Sequence, residues 1–161
     1  MRKRTLTPGQ SSQPQDKRDS RSFVKALEVD ILARTMWGES RGEGAKGLQA
    51  VANVVLNRVQ VASENGTYWW GTDVISVCQK PFQFSCWNPD DPNREKLLAV
   101  QESNLEFASC LRVARRAVYG QLSDLTGGAT HYHADYVSPY WAENKMPTAR
   151  IGRHIFYRLV E

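Results

Sequence analysis

The sequence predicts an α+β domain: a mainly helical lobe, then a small antiparallel β lobe, with a cleft between them. Three observations carry this reading. Apolar residues recur at helical spacing through residues 24–36 and again through 48–59. After Gly120 the pattern changes to turn residues and short apolar runs. Residues 149–159 then alternate with a period of two, as a half-buried strand does.

At 161 residues the chain is long enough for one domain with a substantial core. Its formal charge of +4 is unevenly placed. Residues 1–22 hold six basic and two acidic side chains, whereas residues 23–161 hold 15 of each. The first 22 residues are rich in Ser, Gln, Pro and charged groups and lack apolar periodicity. They are expected to be a disordered basic tail ahead of a single domain over 23–161. A formally neutral domain with a basic tail is not a nucleic-acid signature, so no nucleic-acid partner is expected, and a monomer is. No stretch is long and apolar enough to span a membrane. No apolar segment follows the basic N-terminus, so no secretory signal is read and the chain is expected in the cytoplasm at synthesis. Three cysteines, Cys78, Cys86 and Cys110, cannot complete a disulfide framework, and buried free thiols are expected.

The first helix is expected over residues 22–37, with Val24, Leu27, Ile31 and Thr35 on a stripe that Leu32 and Met36 widen. Gly38 and the glycine-rich segment 40–44 should break it. The second helix, over 45–61, carries Leu48, Val51, Ala52, Val55, Leu56 and Val59 on one face. Its polar residues Asn53, Asn57 and Arg58 either face solvent or support the turn around Glu39. Asn65-Gly66 is a turn signal, and a short helix over 73–78 takes Thr72 as its cap. Residues 80–92 interleave aromatics, amides and three prolines without a period and read as an ordered loop. Helices follow over 93–100 and 103–119. Residues 129–134 are β-like, 137–141 form an aromatic loop, and the 149–159 strand pairs with 129–134 as a ribbon.

The chemistry centres on Trp37-Gly38-Glu39-Ser40-Arg41-Gly42-Glu43-Gly44. Cutting a glycosidic bond needs an acid to protonate the leaving oxygen. An aromatic beside Glu39 would raise its pKa by desolvation, as a general acid requires. Spacing alone leaves two readings open, a working acid or two solvent-exposed loop carboxylates. Aromatics lie mostly in the loops: Tyr68, Trp69, Trp70, Phe82, Phe84, Trp87, Tyr132, Tyr140 and Trp141, beside Gln83, Ser85, Asn88, Asn144 and Lys145. Singly such residues anchor loops to a core; together they fit a sugar cleft, with rings to stack and amides for hydroxyls. His131 and His133 on one strand, with His154 on a facing one, offer a rival, since three imidazoles can hold a catalytic zinc in an amidase or peptidase. No HExxH accompanies them. The phosphate-loop, dinucleotide and GxSxG patterns are absent too.

With these residues assembled, the chain resembles the cell-wall hydrolase family of the spore-cortex-lytic enzymes. The matching stretches are Trp-Gly-Glu-Ser-Arg-Gly-Glu-Gly from Trp37, Ala-Val-Ala-Asn-Val-Val-Leu-Asn-Arg-Val from Ala50, Pro-Phe-Gln-Phe-Ser-Cys-Trp-Asn from Pro81, Gly-Ala-Thr-His-Tyr-His from Gly128 and Ile-Gly-Arg-His-Ile-Phe from Ile151. The short, single-domain members of proteobacteria and their phages are the nearest in kind. The resemblance implies a lysozyme-like fold and a peptidoglycan substrate. It implies lytic transglycosylation between N-acetylmuramic acid and N-acetylglucosamine, giving 1,6-anhydro ends. Glu39 matches the family's catalytic position, and no metal or other cofactor is implied. Glu43, Gln83, Ser85, Trp87, Tyr132, Tyr140 and Trp141 are the expected substrate-binding residues. No export signal and no separate peptidoglycan-binding domain are read in the sequence, and in this it is expected to depart from the spore enzymes. Action on the wall in the periplasm after release, as a phage or prophage lysis protein, or delivery in a virion, is therefore expected. A non-catalytic wall-binding or phage structural protein is the remaining alternative.

Overall fold

The structure is a computed structural model and describes residues 14–160. Five α-helices come first: α1 (Pro14–Ser40), α2 (Gly44–Asn65), α3 (Val74–Gln79), α4 (Arg94–Ala99) and α5 (Leu105–Val118). A one-turn 3₁₀ helix, Ser85–Trp87, sits inside the loop between α3 and α4. Three short strands follow, β1 (His131–Ala134), β2 (Ala149–Ile151) and β3 (His154–Tyr157), in an antiparallel sheet of order β1-β3-β2. A second 3₁₀ turn, Tyr140–Ala142, precedes β2. The α+β class and the order of the two lobes are as the sequence predicts.

α1 runs past its sequence pattern at both ends. It begins at Pro14, and proline is well suited to a first helical turn because it has no N–H to leave unpaired. Asp16 in that turn opposes the positive end of the helix dipole. Residues 14–22 are therefore helical where composition indicates a disordered tail. Gln15, Lys17, Arg18 and Arg21 favour a helix and the Asp and Ser residues between them do not; with no apolar partner for this stretch, burial does not account for its helix either. The rest of the expected tail, residues 1–13, lies outside the described residues. The apolar stripe is buried only from Val29 onward, through Leu32, Ala33, Met36 and Trp37; Val24 and Leu27 are exposed.

At its other end α1 continues through Gly38. A Cβ there would lie 2.8 Å from Cys86 Cβ, so glycine lets the Ser85–Trp87 turn pack directly on the helix backbone. The helix stops at Ser40, and the chain reverses through Gly42 and Gly44, both in the left-handed region at φ 88° and 77°.

α2 is the central element and is buried on two sides. Leu48, Val51, Ala52 and Val55 join the main core with α1, α3 and α5. Ala50 and Val54 face the β lobe and pack on Ala129 and Phe156. A one-sided stripe does not anticipate this second face. The polar residues of α2 secure it. Asn53 donates to the Ser123 carbonyl (3.0 Å) and accepts from the Leu125 N–H (3.0 Å). Asn57 donates to the Ala129 carbonyl (2.9 Å), and Arg58 Nε to the Thr130 carbonyl (2.7 Å). These side chains hold residues 123–130 in place, not the turn around Glu39.

Residues 149–159 form a hairpin, not one strand. Gly152 (φ 57°) and Arg153 turn the chain, pairing Ile151 with His154 and Ala149 with Phe156. A two-residue turn hardly disturbs the alternating pattern, but it exchanges the faces beyond it. The helix over 74–79 is capped by Asp73 instead of Thr72. The Asp73 carboxylate accepts from the Ser76 N–H (2.9 Å), and the Ser76 hydroxyl accepts from the Asp73 N–H (3.2 Å), a reciprocal capping box. All three cysteines are free and buried.

Candidate active site

A cleft of about 1110 Å³ opens between the lobes. Its inner surface comes from regular elements: Glu39 from α1, Arg58 from α2, and His131 and Tyr132 from β1. Its walls come from loops that carry Trp69, Phe82, Gln83, Tyr140 and Trp141.

Glu39 is the penultimate residue of α1. The carbonyl end of a long helix disfavours negative charge, and so favours the protonated acid. Burial acts in the same direction and raises the Glu39 carboxyl above its ordinary value; the thiol and amide of Cys86 and the hydroxyl of Tyr132, facing the carboxyl, offset part of the rise. Tyr132 donates its hydroxyl to Glu39 Oε2 at 3.0 Å. Oε1 is buried without a donor in good geometry among the described residues. The Tyr132 phenol is itself pushed well up by burial and by Glu39, so it remains a donor. Among the described residues lining the cleft, Glu39 is the one carboxylate.

Arg58 lies beside this acid. Its guanidinium sits over the rings of Trp70 (5.4 Å) and Phe84 (5.3 Å), and Nη1 reaches Gln83 Oε1 at 3.5 Å. Burial lowers it to about 10, which leaves it a cation at neutral pH. His131 is pushed down to about 4, by burial first and by Arg58 second, so its imidazole is neutral there. It packs against Trp70 and Trp141 with centroids at 6.0 Å and 5.5 Å.

Of the residues expected in the site, Gln83, Ser85, Tyr132, Tyr140 and Trp141 line the cleft with Glu39. Trp87 does not. Its Nε1 donates to Thr35 Oγ1 (2.9 Å), and its ring packs on the main core. Glu43 also lies outside. Its carboxylate pairs with the Arg153 guanidinium (3.2 Å) and accepts from the Arg153 N–H (3.4 Å), tying the α1–α2 turn to the β2–β3 turn.

The three histidines are not brought together. His131 and His133 share one face of β1, but His154 pairs with Ala134 and so points to the opposite face. The register of β1 on β3, which sets His133 opposite Ile155 and Ala134 opposite His154, is the cause. His133 instead stacks on Tyr157 (5.4 Å) and shares a 3.0 Å hydrogen bond with its hydroxyl. No group of three His, Cys, Asp or Glu able to hold a metal occurs among the described residues.

Two charged cleft residues escape the sequence reading of the site, Arg58 and Arg158. Phe82 and Lys145, read among the loop residues of a sugar cleft, do line it. Gln83 N–H closes a turn on the Lys80 carbonyl (3.1 Å), with Pro81 second and Phe82 third at φ 65°. A proline-led turn of this kind normally places glycine or asparagine there. Phe82 instead holds the strained conformation with its ring 84% exposed at the cleft rim.

Comparison with known proteins agrees with this architecture. Residues 42–157 match the Cell Wall Hydrolase family. The spore cortex-lytic enzymes of Halalkalibacterium halodurans and Bacillus cereus are each 30% identical over 132 residues, covering 80% of this chain. That alignment takes in only 34% and 43% of the relatives, so the chain spans less than half of their length. Two solved structures superpose with a TM-score of 0.61 at 27% identity over 81% of this chain. They are the catalytic domain of the Bacillus cereus SleB protein, covered to 89%, and that of the germination-specific lytic transglycosylase SleB from Bacillus anthracis, covered to 93%. The lysozyme-like α+β fold is thus shared with these catalytic domains. The family match begins at Gly42, three residues after Glu39. With most of its length matched and the fold in common, the chain belongs to the cell wall hydrolase family.

Proposed function

We propose that this chain cuts the glycan strands of peptidoglycan between N-acetylmuramic acid and N-acetylglucosamine, as a lytic transglycosylase with Glu39 as its acid and base. The observation that carries the reading is a single cleft carboxylate, held where both burial and the helix end favour its protonated form. Glycosidases that use a carboxylate pair place the second group about 5 to 10 Å from the first, across the scissile bond. No second carboxylate lines this cleft among the described residues. One group must then do both jobs. Protonated Glu39 gives its proton to the glycosidic oxygen as the bond from that oxygen to muramyl C1 breaks. The resulting carboxylate takes the proton of the muramyl 6-hydroxyl while that oxygen bonds to C1. A 1,6-anhydro end forms, no water is consumed, and the acid is restored.

The walls suit the substrate. Phe82, Tyr140 and Trp141 offer ring faces to the apolar faces of sugars, and Gln83 and Ser85 offer hydrogen bonds to hydroxyl and N-acetyl groups. The test is digestion of purified sacculi with mass spectrometry of the released fragments. Wild type should release anhydro-ended muropeptides, and Glu39→Gln should lose about 10²- to 10⁴-fold in rate while keeping the fold. Reducing ends in place of anhydro ends would make the enzyme a hydrolase. Near-normal activity of Glu39→Gln would remove Glu39 from the mechanism.

A further inference from the structure

The cleft has an excess of positive charge that acid catalysis does not explain. Among the described residues, Arg58, Lys145 and Arg158 line it against the single carboxylate of Glu39. The domain as a whole is balanced, with 15 basic and 15 acidic side chains over residues 23–161, the cleft included. The ion pairs between described side chains lie elsewhere, at Asp30–Arg34, Asp135–Arg150 and Glu43–Arg153. None of the three cleft cations takes part in one. Arg58 is buried between two aromatic rings, with a carbonyl and an amide oxygen as its partners. Arg158 donates to the Gly128 carbonyl (2.9 Å) and is otherwise exposed; Lys145 is exposed. Cations near an acid that must stay protonated work against it, because they favour its ionised form. Such an arrangement makes sense when the substrate supplies the missing negative charge.

Resting on the glycan-cleaving reading, we propose that Lys145 and Arg158, backed by the fixed charge of Arg58, form a carboxylate-binding wall that engages the stem peptides of peptidoglycan. The sugars of the strand are uncharged apart from their substituents; the carboxylates are carried by the peptides on the muramyl lactyl groups. A peptide-bearing strand would thus be preferred over one whose peptide carboxylates are masked. Its bound anions would also relieve the cleft potential that opposes protonation of Glu39.

The experiment measures binding, so it does not depend on turnover. The probe is the anhydro-disaccharide-tetrapeptide, compared with the same molecule after its carboxylates are converted to methylamides, by calorimetry at low and high salt. Wild type should bind the native probe about three- to tenfold more tightly than the methylamide form, with the gap closing as salt rises. Lys145→Gln and Arg158→Gln should each weaken the native probe and leave the methylamide form unchanged; Arg158→Lys should keep most of the preference. Equal affinity of wild type for the two probes, no binding of either, or equal losses on both in the variants would overturn the proposal. Failure of the glycan-cleaving reading would appear separately, as sacculi from which wild type releases no anhydro ends while the binding preference remains.

Discussion

Glu39 occupies a position in which the folded chain holds its proton more tightly than the unfolded chain does. The stabilisation from that proton is complete below the ordinary carboxylate value of 4.5 and is lost as pH rises toward the raised folded value. Glu39→Gln removes this dependence. The variant should therefore melt close to wild type at pH 4 and above it at pH 7, when the two are compared by thermal denaturation. A variant less stable at both would contradict the burial argument. His131, pushed down to about 4, slopes the other way between 4 and 6.5, so the difference between variant and parent is the quantity to read. Tyr132→Phe deletes a donor that lowers Glu39. Its pH–rate profile should keep the alkaline limb but move it to higher pH, at a reduced maximum rate. Phe82→Gly relieves a positive φ and gives up little packing from a ring 84% exposed. Its melting temperature should hold or rise while its affinity for sacculi falls. Glu39 was singled out in the sequence by its tryptophan neighbour and glycine-rich turn, which left a loop carboxylate as the other reading until the resemblance was added, and the structure places it in the cleft. Trp87 was not, because residues 80–92 have no period to tell an inward ring from an outward one.

Among the elements, the contact between α1 and the Ser85–Trp87 turn leaves no room for a Cβ at Gly38. Gly38→Ala would ordinarily favour a helix by about 1 kcal/mol. Here its Cβ meets Cys86 Cβ at 2.8 Å, so the substitution should instead destabilise by about 1–3 kcal/mol and disturb Glu39 one residue on. Chemical denaturation and the sacculus assay should both register it. The Glu43–Arg153 tie involves an arginine that is 69% exposed and is screened accordingly. Glu43→Gln should cost no more than about 1 kcal/mol and retain most activity. The helices were legible because 3.6-residue periodicity survives in a single sequence. The second buried face of α2 was not, since small residues such as Ala50 and Val54 mark a sheet contact only once the sheet is known. The 149–159 hairpin was hidden by its own alternation, and the face of His154 by a β1–β3 register that periodicity alone does not give.

At the scale of the whole molecule, the class and the order of lobes follow from where helical periodicity ends, near Gly120. The cleft does not, because its walls join loops more than fifty residues apart, and Arg58 enters it only through the packing of α2 between the lobes. The main core draws on α1 only from Val29 onward, and residues 15–24 are exposed. Removal of residues 1–21 should accordingly leave the melting temperature and the sacculus activity close to those of the full chain. That same helix has a mechanical meaning. From Gln15 to Glu39 it runs roughly 35 Å at 1.5 Å per residue, with the acid at one end and an outlying arm at the other. The first turns of α1 are thereby set at a distance from the cleft. A label, a tether or a solid support attached there would leave the mouth of the cleft clear for a polymer as long as a glycan strand.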